Sequence, residues 1–147
     1  MNKPYYKDKY VTIYNADCLE IIPHLGKVGL LLTDPPYGIG QRSGTISVKR
    51  NRNNYIGYDD TKENIRDIVI PAIKLALNMS DRAIITPGGR CAFMYPEPTD
   101  IGMIYQPAAT GMTYWGRTTC QPILFYGKDP FSGKTIKPIH YQLKAYK

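Results

Sequence analysis

The apolar run Val28-Gly29-Leu30-Leu31-Leu32 leads directly into Thr33-Asp34-Pro35-Pro36-Tyr37-Gly38. A run this short, stopped by two prolines, is expected as a strand buried on both faces, the kind found inside a parallel sheet with helices above and below. Asp34 then stands at the carboxyl end of that strand. In open α/β sheets the loops leaving this edge line the crevice where ligands bind.

Each residue of the turn has a chemical consequence. Asp34 precedes a proline and is biased to extended backbone, while Pro35 and Pro36 fix φ and remove two backbone donors, so the turn offers acceptors. A carboxylate and a bare carbonyl facing one spot suit an amino group with two hydrogens to donate, and Tyr37 adds a flat face for an aromatic ring. An exocyclic amine of a nucleobase meets both demands. Its lone pair is delocalised into the ring, and two acceptors holding its hydrogens draw the nitrogen toward tetrahedral geometry. The competing reading of Asp34-Pro35-Pro36-Tyr37 is a tight proline turn that caps a strand, with Tyr37 in the core.

Asp34-Pro35-Pro36-Tyr37 after an apolar strand resembles the catalytic motif of DNA amino-methyltransferases, which methylate adenine N6 or cytosine N4. Upstream, Tyr14-Asn15-Ala16-Asp17-Cys18-Leu19-Glu20 resembles the segment that precedes the catalytic strand in that family. Downstream, Thr86-Pro87-Gly88-Gly89-Arg90 and Trp115-Gly116-Arg117, followed by 121–128, look like later blocks of bacterial and phage members. The resemblance covers about 11–129, in the order of the subgroup that places its catalytic half first. It implies S-adenosylmethionine as methyl donor and a target base flipped out of the duplex. It further implies that Asp34, Pro35, Pro36 and Tyr37 are catalytic and that Asp17, Cys18 and Asp34 face the cofactor. Adenine is favoured over cytosine by the aspartate that opens the motif, and no metal is required.

The whole chain has 147 residues, the size of one α/β domain. Lys and Arg total 19 against 12 Asp and Glu, a formal net charge of +7. This balance suits a polyanionic partner or simply keeps a basic protein soluble. Cys18, Cys91 and Cys120 are far apart and lack Cys-x-x-Cys spacing, so they indicate no zinc site and no disulfide framework. No stretch approaches a membrane span, and the N-terminus is unlike a signal peptide, which leads to the expectation of a soluble cytoplasmic protein.

Along the chain, 11–15 reads as a strand, and Asp17 reads as the N-cap of a short helix through about 25. The strand over 28–33 is expected to return parallel to the first through a right-handed crossover, bringing Asp17 and Asp34 to one sheet edge. Residues 41–58 form a basic stretch with Arg42, Lys49, Arg50 and Arg52 followed by Tyr55 and Tyr58. Beside the proposed pocket, these cations are expected to neutralise DNA phosphates while the tyrosines stack on bases. A solvated surface loop is the alternative. Asp60-Thr61-Lys62-Glu63 has the form of a capping box opening a long helix. Ile65, Ile68, Val69, Ala72, Ile73, Ala76 and Leu77 then face the sheet, and Pro71 kinks or splits the helix. Further strands are expected over 83–86, 102–105 and 122–126, the last two as an antiparallel pair. Residues 107–119 are expected as a loop, either near the target base or packed around Trp115.

Gly127 to Thr135 invites two comparisons. A phosphate-binding loop needs four residues between its glycines and a helix directly after, but five intervene here and Pro138 opposes the helix. Asp129-Pro130-Phe131-Ser132-Gly133 echoes the glycine loop that holds the methionine end of the cofactor in the resembled family, yet Lys134 and Thr135 stand where its second glycine belongs. The expectation is therefore a partial Rossmann-like α/β sheet with helices on both faces, one domain over 1–147 lacking the glycine-loop half. Such a chain would be truncated, completed by a second chain or by self-association, or reduced to a DNA-binding module.

Overall fold

The computed structural model describes residues 3–39, 60–107, 111–113, 115–131 and 133. Its main sheet has four strands in the order β3-β4-β8-β5, formed by Leu31–Thr33, Arg82–Ile85, Cys120–Gly127 and Asp100–Tyr105. β3 and β4 are parallel, whereas β8 runs antiparallel to both β4 and β5. The expected antiparallel pair thus forms, and it extends the sheet on the β4 side. Two hairpins stand apart from this sheet, β1 (Tyr6–Lys7) with β2 (Thr12–Ile13) and β6 (Gly111–Thr113) with β7 (Gly116–Thr118).

The first expected parallel unit is not formed. β2 pairs with β1, and the parallel partner of β3 is β4. The reason is local. Asp8 Oδ1 accepts from the amides of Tyr10 and Val11, each at 2.7 Å, and so closes a turn that brings 12–13 back onto 6–7. Closing so short a loop costs little chain entropy compared with a crossover. The stretch before β3 still meets its parallel neighbour, because the Val28 amide donates to the Met79 carbonyl and the Asp81 amide to that of Val28, both at 2.9 Å.

A helical segment of three parts links β3 to β4: α2 (Lys62–Asn64), a π turn over Ile65–Val69, and α3 (Ile70–Asn78). Pro71 accounts for the split. It has no amide to give, and its ring crowds the carbonyl four residues back. The preceding turn widens, with the Ile70 amide bonding to the Ile65 carbonyl five residues away. The extra residue in that turn also changes the phase of the apolar stripe: Ile65, Ile70, Ala72, Ile73 and Ala76 are buried, whereas Ile68 turns outward.

The core forms where Ile65, Ile70 and Ile73 meet Ala83, Ile85 and Leu124, with Cys91 and Tyr95 closing one side. Residues paired directly across strands share a face, so Leu31, Ala83 and Tyr126 lie on the helix side with Ile85 and Leu124. α1 (Cys18–Ile21) and the 3₁₀ turn after it rest on α3, on this same side. Helices on both faces, as expected from the sequence, are not found among the described residues. Leu32 and Ile84 alternate to the opposite face, where Leu32 is 71% exposed. β3 is thus a sheet edge with one covered face, which is why its apolar run is not buried on both sides. No helix among the described residues is long and apolar enough to cross a membrane.

Candidate functional site

Because β3 and β4 are parallel, their carboxyl ends deliver Asp34 and Thr86 side by side, and the Thr86 amide extends the ladder to the Thr33 carbonyl at 3.2 Å. The Thr86 hydroxyl donates to Asp34 Oδ1 at 2.5 Å, and the Tyr37 hydroxyl donates to the same oxygen at 2.7 Å. From β8, Gln121 Nε2 donates to the Tyr37 hydroxyl at 2.5 Å. Thr86 thus reaches Asp34 directly, and Gln121 reaches it through Tyr37. Both hydrogen bonds that reach this carboxylate from described residues land on Oδ1, and Asp34 itself is exposed. An exposed carboxylate with one oxygen occupied presents its other oxygen as an acceptor.

The turn carrying Asp34 is fixed from beneath. Pro35 is buried, with Pro36 and Tyr37 half-buried. Gly38 takes φ +65° and Gly88 takes φ +66°, the left-handed region that glycine enters without penalty. A Cβ on Gly88 would lie 2.7 Å from Tyr37 Cγ, so this glycine is the floor on which one side of the ring rests. A Cβ on Gly38 would meet Cys91 Sγ at 2.7 Å, and the Cys91 thiol donates to the Tyr37 carbonyl at 3.2 Å. Burial pushes the Cys91 thiol above its ordinary value, which keeps the proton it donates. Asp60 completes the frame, its Oδ1 accepting from the Gly38 amide at 2.6 Å and its Oδ2 from the Ile39 amide at 3.4 Å.

Asp60 thus differs from its expected role. The helix is capped one residue later, by Thr61 Oγ1 accepting from the Asn64 amide at 3.2 Å. This frees the Asp60 carboxylate to hold the turn. Electrostatically, Tyr37 is raised above the ordinary tyrosine value, chiefly by burial and then by its hydrogen bond to Asp34. At neutral pH its hydroxyl remains a donor. The expected reading of the turn as acceptors alone is therefore refined, since its own tyrosine supplies a donor to its aspartate.

The other sequence-predicted residues fare differently. Asp17 does cap α1, with Oδ1 accepting from the Leu19 amide at 2.8 Å, and the exposed Cys18 is the first residue of that helix. Since β2 does not join the sheet of β3, no strand pairing carries Asp17 to the edge that bears Asp34. Arg42, Lys49, Arg50, Arg52 and Tyr55 lie outside the described residues. Trp115, at the turn between β6 and β7, is fully exposed. Thr86 and Gln121 have no role from the sequence alone, although each falls in a block that carries the resemblance; Thr86 directly follows β4, and Gln121 is the second residue of β8.

S-adenosylmethionine needs a cradle for its carboxylate as well as its base. Among the described residues, the helical pieces that follow Gly89 and Asp17 are short, Ala92–Met94 and Cys18–Ile21. No group of three or more His, Cys, Asp or Glu side chains among the described residues is placed to share a metal ion. Compared with protein-family models, with curated proteins and with solved structures, the chain matches none of them.

Proposed function

We propose that this chain supplies the base-binding and catalytic side of an S-adenosylmethionine-dependent methyltransferase acting on the N6 amine of adenine in DNA. The observation that carries the reading is the Asp34 carboxylate, exposed at the carboxyl end of β3 with Oδ1 held by the Tyr37 and Thr86 hydroxyls. Oδ2 and the Pro35 carbonyl then accept the two hydrogens of the amine. This removes the nitrogen lone pair from conjugation and directs it outward, which is what an exocyclic amine lacks as a nucleophile. Two neutral donors on Oδ1 hold the carboxylate in place without competing for the base. Tyr37, with Gly88 against its ring, offers a surface on which the flipped base stacks. The basic stretch over 41–58 supplies phosphate contacts of the kind that position a duplex without reading its sequence.

The cofactor side is assigned to a second copy of this chain, so the chain alone suffices for the assay. The test is incubation of the 147-residue chain with adenine-containing duplex DNA and S-adenosylmethionine, followed by mass analysis of the digested nucleosides. Appearance of N6-methyldeoxyadenosine supports the reading. Its absence, with saturable DNA binding retained, favours the second reading, a DNA-binding or partner-assembly module. The observation favouring that second reading is the β3 edge, where Leu30 is 52% and Leu32 71% exposed beside a strand with one described neighbour. Calorimetric titration with S-adenosylmethionine separates a cofactor site complete in this chain or in its oligomer, which saturates one-to-one, from one that needs a different chain.

A further inference from the structure

We infer that Gln121 is a positioning residue of the Asp34 site, fixing the Tyr37 hydroxyl so that its single proton is directed to Asp34. The inference rests on the methyltransferase reading for its functional consequence and on geometry alone for the positioning itself.

A phenol has one proton to give and lone pairs to receive. Here the hydroxyl of Tyr37 stands between Asp34 Oδ1, which only accepts, and Gln121 Nε2, which only donates. The amide therefore takes the accepting side of the oxygen and leaves the proton one destination. Orientation of this kind is worth having because Asp34 and Tyr37 belong to a turn, whereas Gln121 belongs to a strand. Gln121 pairs with Ile104 of β5, and three residues further on β8 pairs with β4 through Leu124 and Ile85. Pro122 adds to this by restricting Gln121 to extended backbone. At Pro122 the missing amide is tolerated because the pairing with β4 ends at Leu124. A group on a rigid strand thus anchors a carboxylate on a turn, the arrangement that keeps a reacting geometry from drifting.

The arrangement is tested with two near-isosteric variants of the full chain. Gln121→Leu removes the donor. Gln121→Glu reverses it, placing a second carboxylate against the one hydroxyl proton, so that Tyr37 can serve Glu or Asp34 but not both. Tyrosine labelled at ¹³Cζ and aspartate labelled at ¹³Cγ, assigned with Tyr37→Phe and Asp34→Asn, report the bond directly at neutral pH. The expected result is displacement of both the Tyr37 and the Asp34 resonance, larger in Gln121→Glu than in Gln121→Leu, with the remaining tyrosine and aspartate signals in place. In methyl transfer, kcat falls by about tenfold to a hundredfold while KM for DNA stays within about twofold, because a misplaced group costs rate rather than binding.

Tyr37 and Asp34 resonances unchanged in both variants would overturn the inference, as would displaced resonances with an unchanged kcat. If the wild-type chain transfers no methyl group, the methyltransferase reading fails separately, and the resonances alone then decide whether Gln121 holds Tyr37 on Asp34.

Discussion

The Tyr37 hydroxyl donates to Asp34 Oδ1 at 2.7 Å, so the last residue of the Asp-Pro-Pro-Tyr run is tied back to the first. The two prolines between them make this closure cheap, since φ is already fixed at both and little chain freedom is lost. Aspartate and aromatic ring therefore form one unit, and a substitution at either is felt by the other.

Thr86 is expected to matter for rate more than for folding. Its hydroxyl donates to Asp34 at 2.5 Å, but the aspartate is exposed and the bond adds little to stability. Thr86→Val keeps the β-branched shape and loses the donor. We predict a fall in kcat of about tenfold to a hundredfold with a melting temperature close to that of the wild type, checked by steady-state kinetics beside calorimetry.

Gly88→Ala should damage the site from below. The backbone is in the left-handed region at φ +66°, and the new Cβ would lie 2.7 Å from Tyr37 Cγ. The φ penalty alone is about 1–2 kcal/mol. The ring must also move, and with it the bond to Asp34. A duplex carrying 2-aminopurine at the target position reads this out: its fluorescence rise on binding, the sign of an unstacked base, is expected to shrink in the variant.

Alkaline pH provides a test on the fold itself. Tyr126 donates to the Pro96 carbonyl at 2.9 Å, and burial raises its pKa from the ordinary 10.0 to about 12. The folded chain then holds this proton more tightly than the unfolded chain does. Its stabilising contribution is complete below pH 10 and is lost progressively as pH rises from about 10 to about 12. Tyr126→Phe should be less stable than the wild type at pH 8 and should lose less on going to pH 11, as followed by denaturant titration.

Much of this frame was legible in the residues. The apolar run and its prolines place a strand end at Asp34, the antiparallel pair β5 and β8 lies where its apolar stretches predict, and Pro71 divides the helix. What escaped was decided by competition between local and distant partners. Asp8 holds the turn that pairs 12–13 with 6–7, and that hairpin stands in place of a parallel pairing with β3. Asp60 reads as a helix cap by spacing, but Thr61 takes that place, and the two amides after Tyr37 claim the aspartate. Gln121 is 84 residues from Tyr37, and no local periodicity links the two. Ile68 faces outward because a proline three residues later adds a residue to the turn containing it.

The most direct test of the central claim compares wild type with Asp34→Ala in two assays on one DNA duplex, labelled-methyl incorporation at adenine N6 and binding affinity across a range of salt. With Asp34 as the group that holds the amine, incorporation falls at least a thousandfold while affinity and its salt dependence stay within about twofold, since phosphate contacts carry most of the binding. Incorporation that survives in Asp34→Ala at near wild-type rate would contradict the account, and the carboxyl end of β3 would then not be where methyl transfer occurs.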